Sequence, residues 1–440
     1  MQNRIHLSEL SAHIGKKVLI AGHAQTLRKQ SSVAFIIVRD ITGTVQCVIG
    51  KDNAAFETVK ELATESVIKI TGAVVETKST KEGLEIQIES LDVMSAADPL
   101  LPIPIIEKGD DEVSAEKRMD WRFLTLRRER DATIMKALSA IDRGYSEFLI
   151  SKGFIGIHTP KFMASPSESN AELFSLDYFG QTAYLAQSPQ FFKQMGIASG
   201  LEQVFEIGSV FRADNSFTTR HATEFIGHDA EMGYIDSFSD VMDMLEGSLA
   251  AVLAEVDKSC GAEIEKHLGI KDIGLKKPMV RLTMHKAREI LKSRGHDVAD
   301  GDMTTAEEKA IGEYVSAELG SDFVFITEFP WSARPFYHKK GVSSDDGVSP
   351  ISISADLLYK GVEIATTAQR EENYEKLVAQ IAEKKLKLEG LQWFANFFRF
   401  GMPPHGGWGM GGQRIAKQLL NLDSIRDAQF LFRGPNRLAP

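Results

Sequence analysis

The stretch FEIGSVFRADNSFTTRHATEF, Phe205–Phe225, closes an apolar, strand-like run at Arg212 and sets Arg220 and His221 before a second half-apolar run from Glu224. A guanidinium at a strand end is costly to half-bury without an anion, and its planar fork suits phosphate or carboxylate. The anion is either a ligand's or the chain's own, with Glu206 and Asp229 as internal candidates. Further along, ISADLLYKGVEIATTAQR puts Asp356 and Glu363 on two strand-like runs joined at Lys360 and Gly361. Such acids either converge on a divalent cation that also holds nucleotide phosphates, or stay solvated beside a turn. GMPPHGGWGMGGQRIAKQLLNL joins a glycine-rich backbone, able to approach a ligand closely, to an amphipathic helix starting near Gln413, with Arg414 at its head. In AYLAQSPQFFKQMGIASG, Lys193 lies among apolar and aromatic residues. It either snorkels to solvent or presents a point charge to an anionic group.

These groups need a scaffold. Residues 17–50 and the runs SVIKITGAVVET and LEIQIESLDVMS are short, β-branched and punctuated by turns, which predicts a five-stranded antiparallel barrel over residues 1–104. The proline cluster in ADPLLPIPI predicts a hinge over 105–130. From 131 to 440, strand-like runs near one another in sequence and helices set apart predict an α+β domain, an antiparallel sheet of six or seven strands flanked by helices.

Bulk properties exclude several classes. A net charge of −10 over 440 residues argues against a globally basic nucleic-acid coat, though a local basic face suffices for binding. Two distant cysteines, Cys47 and Cys260, make neither a disulfide framework nor a zinc site. No apolar stretch reaches the length of a membrane span, so a cytoplasmic location is expected. No Walker or dinucleotide-binding glycine motif follows a strand.

In order and type, these pieces resemble the class II aminoacyl-tRNA synthetases, and within them the aspartyl enzymes of the archaeal and eukaryotic branch. GFIGIHTPKF is similar to their motif 1, with Pro160 at a dimer interface; FEIGSVFRADNSFTTRHATEF to motif 2; GGWGMGGQRI to motif 3. The resemblance implies an N-terminal OB-fold that binds the anticodon and a homodimer. It implies ATP as substrate, with Arg212 on the α-phosphate, Arg220 and His221 on the outer phosphates, Asp214 near the adenine, and Phe225 and Arg414 flanking the base. It implies Mg²⁺ held by Asp356, Glu363 and Thr366. L-aspartate would be read by Lys193 and Arg370 at its side-chain carboxylate and by Glu168, Gln190 and Asp229 around its α-amino group. Arg28, Phe35 and Gln46 would meet the anticodon of tRNA-Asp. Gln25, where an aromatic is expected of a strict enzyme, implies that tRNA-Asn is charged too, with an amidotransferase downstream.

The sequence departs from the family at Asp214 (usually glutamate), Ser169 and Asn170 (Gly-Gly), the Thr366–Thr367 pair (Ser-Gly), Gln413 (an acid), and Phe432 and Gly434 (proline and aspartate). Two alternatives therefore stand beside aspartate–tRNA ligation. One is a paralogue that activates aspartate for another acceptor, including an asparagine synthetase-like amide ligase; the other is a decayed, non-catalytic RNA-binding relative.

Overall fold

Strict alternation builds the first barrel. In a computed structural model that describes residues 3–106, 113–165, 173–215, 218–275, 277–298 and 300–440, strands β1 (Lys17–Lys29), β2 (Val33–Asp40), β3 (Gly43–Gly50), β4 (Val67–Glu76) and β5 (Leu84–Ser95) close in the order β1-β2-β3-β5-β4. Ala34, Ile36 and Val38 of β2, Val45, Cys47 and Ile49 of β3 and Ile68 and Ile70 of β4 fill the interior. The pairing is antiparallel except between β3 and β5. Where strands cross most closely only glycine fits: a Cβ on Gly22 would lie 2.3 Å from the Arg39 carbonyl oxygen.

Because side chains alternate, Phe35 faces away from that interior, opposite Arg28 on β1 and Val48 on β3. It is not a core residue. Gln46 sits on the same outer face, opposite Ile37, and donates to Glu85 Oε2 at 2.9 Å. Gln25 is the extra residue of a bulge between Ala24 and Thr26, and its buried Oε1 has no hydrogen-bond partner among the described residues.

The chain divides into two compact units, Met1–Arg128 and Glu129–Pro440. Helices Ala115–Asp120 and Arg122–Thr125, within the segment expected to be a hinge, group with the barrel. Part of the reason is ionic. Arg39 donates two hydrogen bonds to buried Glu65, at 3.0 and 2.8 Å, and Arg127 adds a third at 3.1 Å.

The second unit contains β6 (Ile155–Gly156), β7 (Phe162–Met163), β8 (Ser175–Tyr178), β9 (Gln181–Leu185), β10 (Gln203–Phe211), β11 (Glu224–Gly233), β12 (Val280–Thr283), β13 (Phe323–Thr327), β14 (Lys340–Val342), β15 (Pro350–Ser352), β16 (Ser354–Tyr359), β17 (Val362–Gln369) and β18 (His405–Gly411). Eight of these form one sheet in the order β12-β13-β16-β17-β18-β11-β10-β6. The sheet exceeds the expected six or seven strands, and its two outermost pairs, β12–β13 and β6–β10, are parallel. β6 and β12 are too short for periodicity to mark them.

Helices Glu129–Ser151 and Phe238–Leu268 pack together, with Gly144 admitting Val252: a Cβ there would stand 3.0 Å from its Cα. Their apolar sides share one core with Ala230, Phe325, Leu357 and Trp408 of the sheet. Trp408 donates its indole N–H to the Tyr145 hydroxyl at 3.0 Å, so the largest core side chain is fully satisfied.

Burial pushes the Glu65 carboxyl up, but its hydrogen bonds to Arg39 and Arg127 outweigh that and hold it below its ordinary value. Its contribution to stability is thus full above the ordinary carboxylate range and is lost as pH falls through the depressed value. Glu65→Ala strands a buried guanidinium and should destabilise the barrel by about 3 kcal/mol at pH 7. Urea unfolding of wild type and variant at pH 7 and pH 3 should show that difference shrinking in acid.

Candidate active site

Period-two alternation assigns β11 to two jobs. Ala230 and Met232 enter the helix-covered core, while Phe225, Gly227 and Asp229 line a cavity of about 520 Å³ on the other side. The glycine-rich run is the neighbouring strand β18, and its helix starts at Gly412, one residue before the expected Gln413. Its glycines recur every second residue for a reason. A Cβ at Gly407 would lie 2.3 Å from Glu231 Oε2, and one at Gly409 3.2 Å from Asp229 Oδ2. The empty positions on β18 make room for the carboxylates of β11.

Those carboxylates hold two buried cations. Lys193, on the helix Gln190–Ala198, is only 2% exposed; its ammonium donates to Asp229 Oδ2 and to the Trp408 carbonyl oxygen, both at 2.8 Å, and lies 3.5 Å from Glu231 Oε2. It does not snorkel. Arg370, just beyond β17, donates to both oxygens of Glu231 at 2.8 and 3.3 Å. Burial works to raise the Glu231 carboxyl, but Arg370 and then Lys193 hold it below its ordinary value. The sequence reading missed Glu231, although its position two residues past Asp229 on one strand face was the available signal. Gln190 lines this end of the cavity with Lys193, Asp229 and Arg370. Glu168, Ser169 and Asn170 lie outside the described residues.

The other end is cationic and open. Arg212, the first residue past β10, places its guanidinium 5.7 Å from the Phe225 ring centroid. Neither internal anion proposed for it is available: Glu206 accepts from Thr159 and Lys161, and Asp229 from Lys193. Among the described residues the Arg212 guanidinium has no ion pair. Arg220 donates to Glu308 Oε2 and Thr305 Oγ1, both at 2.7 Å. Both partners belong to the helix Thr305–Tyr314, which the sequence reading left without a role. His221 stands 3.8 Å from Asp214, and burial and then Arg414 keep its ring below the usual histidine range. Arg414 donates to the Glu363 carbonyl oxygen at 2.8 Å and sits 3.5 Å from its carboxylate.

Asp356, Glu363 and Thr366 do converge. The Thr366 hydroxyl lies 2.8 Å from Asp356 Oδ1 and 3.3 Å from Glu363 Oε1. A bulge in β17 beside Leu357 and Leu358 brings Glu363 and Thr366 to the same side. Two carboxylates and a hydroxyl form an all-oxygen donor set that suits a hard divalent cation. Burial raises Asp356 to about 6 and Arg334 opposes it, while four arginines outweigh burial at Glu363 and hold it low. Arg334, also missed, donates to Asp356 at 2.5 Å and caps that carboxylate from the cavity side. Among the described residues no cluster of three or more histidine, cysteine or acidic groups could hold a metal alone.

In sequence and in fold the chain matches known proteins. The profile of class II tRNA synthetases (D, K and N) covers residues 114–433, and that of the OB-fold nucleic acid binding domain residues 18–94. The chain belongs to the class II tRNA synthetases. It is 39% identical to the aspartate–tRNA(Asp) ligase of Pyrococcus abyssi, across 98% of each chain, and 37% identical to the aspartate–tRNA(Asp/Asn) ligase of Aeropyrum pernix, across 97% of this chain and 96% of that one. Among solved structures it superposes on the Pyrococcus horikoshii asparaginyl-tRNA synthetase complexed with asparaginyl-adenylate with a TM-score of 0.91, at 30% identity and full coverage of both chains. The Entamoeba histolytica aspartyl tRNA synthetase matches at 0.88, with 32% identity over 99% of this chain and 93% of that one. Class II synthetases use ATP as a substrate, and this chain is a ligase of that family.

Two departures from the family pattern compensate each other. A Cβ at residue 434 would lie 2.7 Å from the Phe432 ring, so the bulky residue at 432 requires the glycine at 434. Thr367 is absorbed by donating to the Gly407 carbonyl oxygen at 3.1 Å.

Glu308 is raised to about 7, first by burial and then by the nearby Glu363, with Arg220 pulling it back. Its folded value exceeds its unfolded one, so the stability linked to its proton is present below the ordinary carboxylate range and lost as pH rises through about 7. The ion pair to Arg220 strengthens over that same rise. Glu308→Ala should let Arg220 swing free and raise the KM for ATP about tenfold. Glu308→Gln should flatten the change of that KM between pH 6 and 8, measured by pyrophosphate exchange.

Proposed function

We infer that the chain is an aspartate–tRNA ligase that makes aspartyl-adenylate from L-aspartate and ATP and transfers the aspartyl group to the 3′ end of tRNA. The observation that carries this is the buried Lys193–Asp229–Glu231–Arg370 cluster. Aspartate brings two carboxylates, of the side chain and of the α-carbon, and an ammonium. Placed beside the cluster, its side-chain carboxylate meets Lys193 and Arg370 and its ammonium meets Asp229 and Gln190, which extends the alternation of sign. A neutral side-chain amide gains far less from two desolvated cations.

At the open end, Arg212 makes no ion pair among the described residues and suits the α-phosphate of ATP, with Arg220 and His221 for the outer phosphates. Phe225 and Arg414 supply a ring and a guanidinium for the adenine, by stacking and cation–π attraction. Asp356, Glu363 and Thr366 are the residues that would hold Mg²⁺, which when bound neutralises charge on the phosphates. The α-carboxylate attacks the α-phosphorus in line and pyrophosphate leaves, while Arg212 stabilises charge that grows on the phosphoryl oxygens. The ribose 3′-hydroxyl of tRNA then attacks the mixed anhydride and releases AMP. This route needs positioning and electrostatics more than side-chain acid–base work.

On the barrel, Phe35 and Arg28 share an outer row for single-stranded bases and phosphates, with Gln46 beside them. Gln25, at the bulge of β1, stands where an aromatic is expected of a strict enzyme, which supports relaxed reading of the anticodon, hence charging of tRNA-Asn as well as tRNA-Asp. Misacylated tRNA-Asn would then pass to an amidotransferase. The exposed aromatics Phe162, Tyr178 and Phe179 near Pro160 support pairing of two copies through that segment. No helix among the described residues is long and apolar enough to cross a membrane, and a cytoplasmic enzyme fits that.

Lys193→Met should reduce aspartate-dependent pyrophosphate exchange by about a thousandfold or more, because it removes a substrate contact and strands Asp229. Undiminished exchange would sink the specificity reading. Charging of both tRNA-Asp and tRNA-Asn transcripts with labelled aspartate is the expected outcome of the acceptor assay; adenylate formation with neither tRNA charged would point to an aspartate-activating paralogue. Phe179→Asp should shift the sedimenting species from dimer toward monomer.

A further inference from the structure

Behind Gln190 lies a chain of buried polar groups that reaches no charged residue and ends on a main-chain carbonyl. His405 Nδ1 is 2.9 Å from the Pro403 carbonyl oxygen, His405 Nε2 is 2.9 Å from Gln194 Nε2, and Gln190 Nε2 is 2.9 Å from Gln194 Oε1. Gln194 and His405 are fully buried and Gln190 nearly so. Only Gln190 of the three lines the cavity.

The polarity of every link follows from the last one. A carbonyl oxygen can only accept, so His405 carries its proton on Nδ1. In a neutral imidazole Nε2 is then a lone pair, and the Gln194 atom facing it must be the amide N–H. That leaves the Gln194 oxygen to accept from the amide nitrogen of Gln190. The Gln190 carbonyl oxygen is the group left over for the cavity. We propose that Pro403, His405 and Gln194 form a hydrogen-bond relay that fixes the Gln190 amide with its oxygen available to the substrate ammonium, making His405 and Gln194 positioning residues for the amino acid. The proposal rests on the reading of this pocket as the aspartate site.

Electrostatics keeps the relay in one sense. Burial above all holds the His405 ring neutral, down to about 4, although Glu231, the Pro403 carbonyl and, more weakly, Glu372 pull it up; Arg370 pushes it down. The ring's remaining aromatic neighbour, Phe398, carries no charge. A proton on Nε2 would reverse the two amide links and turn the Gln190 N–H group toward the substrate ammonium.

The test is aspartate-dependent pyrophosphate exchange by the full chain, with kcat and the two KM values determined separately. His405→Phe keeps a ring but removes both links, and should raise the KM for aspartate about tenfold while kcat and the KM for ATP stay within about twofold. His405→Gln, which can offer an oxygen where Nε2 stood, should restore most of the loss. Gln194→Met should match His405→Phe, and it carries the same test if the histidine variant fails to fold by circular dichroism. The decisive readout is coupling: His405→Phe added to Gln190→Met should cost nothing further. Additive losses, or equal damage to kcat and both KM values, would overturn the relay. Gln190→Met with an unchanged KM for aspartate would do so too while leaving the aspartate site intact, whereas a wild type without aspartate-dependent exchange would overturn both.

Discussion

Lys193, Asp229, Glu231 and Arg370 place two cations and two carboxylates out of water, and each is tolerable there only because the others are present. A buried charge left unpaired costs several kcal/mol, so no member of the set can be lost or displaced alone. The surrounding backbone is built to that requirement. Asp229 and Glu231 stand two apart on β11 so that both face the same way, and β18 offers glycines at 407 and 409 because any side chain there would strike them. The sheet thus carries a cavity on one face only because its other face is sealed by Trp408, Phe325 and the two long helices.

The two ends of the cavity differ in how far their charges are satisfied. At the buried end every cation has an internal carboxylate, so a ligand that carries charges of both signs can join the array without leaving one stranded. At the phosphate end Arg212 lacks an ion pair among the described residues, and Arg220 rests on a carboxylate raised toward neutrality. Positive charge there is held in reserve for an anionic ligand. On the proposed reading this difference separates amino-acid recognition, which needs a compensated site, from adenylyl transfer, which needs an uncompensated one.

Three of the departures from the family pattern, Thr367, Phe432 and Gly434, fall where the structure absorbs them. Phe432 and Gly434 change together because ring and Cβ compete for one space, and Thr367 finds a carbonyl acceptor in the next strand. Neither change touches the carboxylates or the guanidiniums that face the cavity.

The sequence by itself determined the barrel, since alternation over long strands leaves only one set of residues to fill its interior, and it determined the identity of most charged groups in the cleft. It also supplied the order of motifs by which the family is recognised. Tertiary structure decided the pairing. Whether Arg212 meets Glu206, Asp229 or a ligand depends on Thr159, Lys161 and Lys193 claiming those carboxylates first, and no spacing encodes that contest. Glu231, Arg334 and Glu308 acquire their roles from contacts across more than twenty residues of chain, with Arg370, Asp356 and Arg220 as their respective partners. The glycines of β18 give no strand signal in the sequence because their purpose belongs to the strand beside them: period two with no side chain carries no hydrophobic signal. The amide of Gln190 is the extreme case, its polarity set by a carbonyl at Pro403, more than two hundred residues away and visible only once the chain is folded.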